Sequence, residues 1–172
     1  MRRVCLSLIS IALLLCSHAR ADHLPEHLLA GGKPEKVLTG IHLERSRLSD
    51  VVRAYGEPSK VEGDDYYWEE GGWKLHLVIY RGSSIKNGEY IAMIEVEGAT
   101  APRAANKTGR GLRLGDSISA VRRIYGKKFK ERRLPKLNIH DVMVQWRREE
   151  VSLVAELDGR GRIKNLCLFA PE

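Results

Sequence analysis

The side chains best suited to chemistry are the histidines His23, His27, His42, His76 and His140, a cationic run from Arg122 to Lys136, and the triplet Tyr66-Tyr67-Trp68. Hydrolytic chemistry would need a nucleophile held beside a histidine that a third group orients. The chain has no Gly-x-Ser-x-Gly elbow, and its histidines fall into no partner pattern, so it is read as non-enzymatic. His23 and His27 have the four-residue spacing that would present two metal ligands from a helix, but Pro25 lies between them. They are read as a polar tail, with no metal bound. Gly109-Arg-Gly111 followed by Gly115 misses the dinucleotide fingerprint, which leaves no cofactor expected.

Between Arg122 and Lys136 lie Arg122, Arg123, Lys127, Lys128, Lys130, Arg132, Arg133 and Lys136, against Glu131 alone. Such a run can attract anionic lipid, an acidic polymer or an acidic protein. It can equally be a solvated helix end and loop, since cations are favoured beside a helix C-terminus. Nucleic acid is not expected, because few aromatics interleave with the charges. The aromatic triplet is more telling. Neighbours on a strand point to opposite faces, so Tyr66, Tyr67 and Trp68 cannot all be core.

The elements that would hold these side chains can be read from the chain's 172 residues. Arg2 and Arg3 precede an apolar run from Val4 to Cys16, and Ala19-Arg20-Ala21 has the form that a signal peptidase cuts. Residues 1–21 are therefore expected to be a signal peptide, which places the protein in the periplasm or outside the cell. Acylation at Cys16 is the alternative, against which Leu15 stands. Removing the leader takes away three arginines and no acid, so the net charge of +7 falls to +4. It also leaves Cys167 as the one cysteine, a small strand residue with no intrachain partner.

The remainder repeats itself. Gly40 to Gly56 and Gly111 to Gly126 match at an offset of 70 from Leu48 onward, Tyr55-Gly56 with Tyr125-Gly126. Each stretch offers a serine to cap a helix, Ser46 or Ser117, and a glycine suited to the left-handed position that ends one. Short helices near 47–55 and 117–125 are expected, stable only when packed on something else. Strands follow at Asp65–Glu70 and Trp73–Tyr80, joined by a Gly71-Gly72 hairpin turn, and at Ile91–Val96. In the second half, Asp141–Arg147, Val151–Leu157 and Arg162–Phe169 keep the order, with Trp146 matched to Trp68 and Leu153 to Leu75. The hairpin predicts that Trp68 faces Leu75, Tyr66 faces Leu77, and Tyr67 faces His76 on the other side of the sheet.

This pattern resembles the tandem unit of beta-lactamase inhibitor proteins, and it is similar to the single unit of SmpA/OmlA-type outer-membrane lipoproteins. The resemblance covers about Val37 to Phe169. It implies two units with their sheets side by side, helices on one face, and an open concave face that binds protein. The chain lacks the inhibitors' cysteine pair, and no inhibitory residue carries over.

The expected fold is α+β, two tandem repeats, each a short helix on a roughly four-stranded antiparallel sheet. A flexible segment at 22–36 precedes a first repeat at 37–98; a linker at 99–110 leads to a second repeat at 111–172. The expected function is protein binding through Tyr67, Lys74, His76, Tyr80, Gln145 and Arg147 on the open face. The partner would be another envelope or exterior protein, and the chain a monomer. The alternative is an accessory protein bound to an anionic membrane surface or polymer through the Arg122–Lys136 stretch.

Overall fold

A computed structural model of the protein describes residues 24–81, 88–98, 106–146 and 151–170. Two eight-residue helices, α1 (Leu48–Tyr55) and α2 (Ile118–Tyr125), stand where the apolar spacing puts them. Val51 of α1 and Ala120 and Val121 of α2 are buried, while Arg53, Arg122 and Arg123 face solvent. Such short helices persist because one stripe of each is packed, not through propensity.

Their ends differ in detail from expectation. Ser46 does not cap α1. Its hydroxyl accepts the His42 N–H at 3.0 Å, and the N-cap is Arg47, whose N–H donates to the Asp50 carboxylate at 3.0 Å. Ser117 is the N-cap of α2 but makes no side-chain cap bond. Gly56 and Gly126 end the helices at φ 79° and 86°, with ψ −173° and −161°. That is extended backbone at positive φ, not the left-handed helical position, and it is a region essentially restricted to glycine.

The helices pack on one sheet. After the two-residue strands β1 (Val37–Leu38) and β2 (Ile41–His42) come β3 (Lys60–Glu62), β4 (Asp65–Glu70), β5 (Trp73–Arg81) and β6 (Glu89–Glu97). The second half supplies β7 (Lys130–Leu134), β8 (Ile139–Gln145), β9 (Ser152–Leu157) and β10 (Ile163–Phe169). Strands β3 to β10 form an eight-stranded antiparallel sheet in the order β3-β4-β5-β6-β10-β9-β8-β7. The last strand of each half, β6 and β10, meet in the middle, and the short polar β3 and β7 form the edges. The fold is α+β and dominated by strands.

The Gly71-Gly72 turn sets the β4–β5 register. Both glycines have positive φ, 54° and 83°, as a tight hairpin turn requires. Trp68 faces Leu75, Tyr66 faces Leu77, Tyr67 faces His76 and Glu69 faces Lys74. The counterpart hairpin does not copy this. Val144 faces Leu153, and Trp146 donates its N–H to the Val151 carbonyl at 3.1 Å. With Leu75 matched to Leu153, the position of Trp68 falls to Val144 and not to Trp146.

The helix side holds the main core: Trp68, Trp73, Leu75, Leu77 and Ile79 with Ile94, Val144, Trp146, Leu153 and Leu166 under the two helices. Tyr55 stacks on Trp73 at 5.6 Å, and Tyr125 meets Trp146 edge-on at 5.7 Å. The indole N–H of Trp68 donates to the Gly56 carbonyl at 2.8 Å, tying β4 to the end of α1.

Two stretches without expected structure are packed. Composition gives 22–36 as a flexible segment, yet from Leu24 to Lys36 it runs against the body of the protein. Leu24, Ala30 and Glu35 are buried, and Ala30 bridges to Trp146 in parallel. Of the linker at 99–110, residues 99–105 lie outside the described residues. Its remainder is held by Thr108, which is buried and bridged to Leu38. The apolar residues that anchor the N-terminal stretch are few and are split by Pro25, which is why composition alone misses them.

Candidate functional site

The face of the sheet away from the helices carries the residues expected to bind. At its first-half end Tyr67 and His76 lie ring on ring, centroids 4.4 Å apart and planes 10° from parallel. Hairpin register puts them opposite each other, and the strand period points both away from the helices. Carboxylates fix the imidazole on both sides: Nε2 is 2.7 Å from Asp65 Oδ1, and Nδ1 is 3.3 Å from Glu95 Oε2. Glu95 in turn accepts the Asn165 side-chain N–H at 2.6 Å, so the cluster reaches across β4, β5, β6 and β10. His76 is buried beneath the Tyr67 ring, whose other neighbour is the Lys60 ammonium, 5.6 Å from its centroid. The result is an aromatic plate on a prearranged hydrogen-bonded base.

Lys74 stands exposed beside this plate, 3.9 Å from Glu69. Tyr80, further along β5 and 41 % exposed, tilts against Tyr90 at 5.4 Å. Arg147 lies outside the described residues. Gln145 is not on an open surface. Its side chain is buried, because its Oε1 accepts the Leu24 N–H at 2.8 Å and its carbonyl accepts the Ala30 N–H at 2.8 Å. The centre of the face is thus covered by the N-terminal segment, and Leu24, Met93, Met143, Cys167 and Phe169 form a second apolar cluster there. Four of the six expected residues remain together on the face, and Gln145 instead holds the cover down.

Burial and the carboxylates of Asp65, Glu62 and Glu95, in that order, push the Tyr67 phenol up to about 12. Burial raises Tyr55, with the Thr39 side chain opposing, and Tyr125 is raised by burial and then by the Glu35 carboxylate. Above the ordinary tyrosine value of 10.0 the unfolded chain loses these protons first and binds fewer than the native state, so stability falls as pH rises. The expected result is a denaturation midpoint that declines from pH 10 upward. Tyr67→Phe should remove one phenol from the late end of the absorbance titration; loss of an early-titrating phenol instead would refute the placement of Tyr67.

The cationic stretch runs from the end of α2 through a loop and the edge strand β7 to the turn Pro135–Leu137, and alternation along β7 sends that strand's side chains to both faces. Arg132 is bound to Asp141 through Nη2–Oδ2 at 2.5 Å. Arg133 reaches Glu131 at 2.9 Å, and Arg122 lies over Phe129 at 5.6 Å. The His140 ring, helped by Arg133, holds the Glu131 carboxyl below the usual carboxylate range. Arg123 in α2, Lys127 and Lys128 in the loop after it, and Lys136 in the 3-10 turn Pro135–Leu137 are exposed. Lys130 is half-buried.

Among the described residues no group of three or more His, Cys, Asp or Glu is placed to hold a metal ion. His27 sits in a 3-10 turn, Glu26–Leu28, and His23 lies outside the described residues. Among the described residues no helix is long and apolar enough to cross a membrane.

No protein-family model matches the chain, and no curated protein matches it. Solved structures are similar to it, these two among them. A DUF4309-family protein of Bacillus subtilis aligns with 76 % of this chain and 82 % of its own, at 17 % identity and a TM-score of 0.47. A cysteine-rich secretory protein of Staphylococcus aureus aligns over 83 % of this chain at 7 % identity, with a TM-score of 0.50. The match covers 50 % of that protein's length, and the likeness is one of fold alone.

Proposed function

We propose that the protein is an exported, non-enzymatic protein-binding module built from two tandem α/β units in the manner of the beta-lactamase inhibitor and SmpA/OmlA groups. The observation that carries the reading is the Tyr67–His76 plate, a half-buried tyrosine ring seated on a fixed imidazole on the helix-free face of the sheet. Interfaces draw their affinity from rigid aromatic anchors of this kind, which lose little entropy on binding. Export rests on the basic, apolar and small-residue order of the first 21 residues. The tandem reading rests on the chain repeat and on a strand order that mirrors itself about β6 and β10. The shifted tryptophan register limits it to backbone arrangement.

The test is capture of partners from an envelope extract by the wild type and by Tyr67→Ala. Loss of the ring at an interface centre should weaken binding by about 2 kcal/mol, roughly thirtyfold. Binding through the plate should change little between low and physiological salt, whereas binding through Arg123, Lys127, Lys128 and Lys136 should collapse. Equal capture by Tyr67→Ala, with loss in salt, would overturn the reading in favour of an anionic surface.

A further inference from the structure

The sheet is apolar on both faces at its centre, and only one of those faces is covered by helices. On the other, Met93, Met143, Cys167 and Phe169, with Val78 and Val154 beside them, are covered by Leu24, Leu28 and Leu29 of the N-terminal segment. Two hydrogen bonds to Gln145 hold that segment on β8, from the N–H groups of Leu24 and Ala30. Between them the chain forms its own 3-10 turn, bonding Leu28 N–H to the Pro25 carbonyl and Leu29 N–H to that of Glu26. The side chains of Leu24, Leu28 and Leu29 seat the turn on the sheet beneath it.

Such a surface has features that can seat a peptide. Methionines line it, and methionine repacks around differing aliphatic shapes. Gln145 supplies a fixed acceptor for a backbone N–H, and the end of β8 supplies a carbonyl and a bridge partner at Trp146. The contacts that hold residues 24–30 are separate from those that fasten the chain after Ala30, so the segment can lift without breaking the fold. Beyond Ala30 the chain is fastened independently, through the Glu35 carboxylate and the β1–β2 hairpin.

We propose that the centre of the helix-free face is a docking groove for a leucine-bearing peptide segment of the partner protein, occupied in the free protein by residues 24–30 as a stand-in. Binding then exchanges one segment for the other, and the Tyr67–His76 plate lies beside the groove as a second contact. This rests on the protein-binding reading above, but its first test needs no partner. A cover of this kind sets a cost on weak ligands, because a ligand must outcompete a segment present at high effective concentration.

Cys167 lies beneath the cover at 2 % exposure, and so reports its opening. In the full chain carrying Cys5→Ser and Cys16→Ser, a thiol reagent should label Cys167 slowly. The rate should be insensitive to low denaturant, as local opening is. Leu24→Asp with Leu28→Asp should raise it about tenfold or more, given the apolar area that each leucine buries. The same double variant should bind a synthetic peptide of residues 22–31 in trans, read by fluorescence anisotropy. Wild type should not, and nor should the variant with a peptide carrying Leu24→Asp. If the double variant fails to fold, Gln145→Ala serves instead, since it removes one of the two hydrogen bonds and leaves the apolar contacts intact. Unchanged labelling in a folded variant, or labelling that tracks global unfolding, overturns the proposal. So does absence of trans binding once Cys167 is exposed. Trans binding of the peptide together with no captured protein would leave the groove standing and sink the protein-binding reading.

Discussion

Trp68→Ala should cost about 3–5 kcal/mol of stability, while Tyr67→Ala, one residue away, should cost about 0.5–1 kcal/mol. Trp68 is 4 % exposed, packed in the main core under the helices, and its indole N–H holds the Gly56 carbonyl at the end of α1. Truncation leaves a cavity the size of an indole in a sheet that cannot collapse around it, and it frees the carbonyl that fixes the helix end. Tyr67 lies on the opposite face, half-buried, with a ring contact to His76 and the Lys60 ammonium above it. Its loss forfeits stacking but opens no cavity. For a domain of this size the tryptophan variant should melt about 10 °C lower. Thermal melts of the two variants check this. A tyrosine variant that melts below the tryptophan variant would mean that the hairpin register is slipped by one residue, which would exchange the faces of both side chains.

The hairpin is where the sequence was most legible. Two consecutive glycines between alternating runs allow one turn geometry, and a fixed turn dictates every cross-strand pair from Glu69–Lys74 to Tyr66–Leu77. The helices were legible from their three- and four-residue spacing. The edge strands were not. Lys60–Glu62 and Lys130–Leu134 carry almost no apolar residues, because an edge strand is held by main-chain bonds along one side and needs solvated side chains on the other. Charge there looks like a loop.

The cover over the sheet was the consequential omission, and a signal for it existed. Ile91-Ala-Met-Ile94 and Leu166-Cys-Leu-Phe169 are continuous apolar runs, not alternating ones, which is what strands buried on both faces show. A sheet with helices on one side alone has no use for Met93 and Cys167 on the other. Something had to lie over them, and three leucines within six residues, Leu24, Leu28 and Leu29, were available. Gln145 follows from the same point. Its face was read correctly, yet its role changed from exposed contact to buried acceptor once that face was seen to be covered.

Glu35→Ala should be as damaging as the loss of a core side chain, at about 3–5 kcal/mol, although it removes no apolar packing. The carboxylate is 3 % exposed and accepts four hydrogen bonds. Oε1 takes the N–H groups of Lys36 at 3.1 Å and Val37 at 3.2 Å, and Oε2 takes the Arg110 N–H at 3.1 Å and the Tyr125 hydroxyl at 2.9 Å. One side chain thereby joins the N-terminal segment, the turn before Leu112 and the end of α2. Alanine would leave those donors facing a void, and each buried donor without an acceptor costs about 1–3 kcal/mol, less what water entering the space recovers. Tyr125→Phe should cost only about 1 kcal/mol, because it removes one of the four donors and leaves the carboxylate three. The Thr108 hydroxyl, 2.7 Å from the Tyr125 oxygen, keeps its bond to the Leu112 N–H at 3.1 Å. Urea denaturation of the two variants measures the difference. If both lose the same small amount, Glu35 is replaceable by solvent, and the junction of the segment with the second half is held by apolar contacts instead.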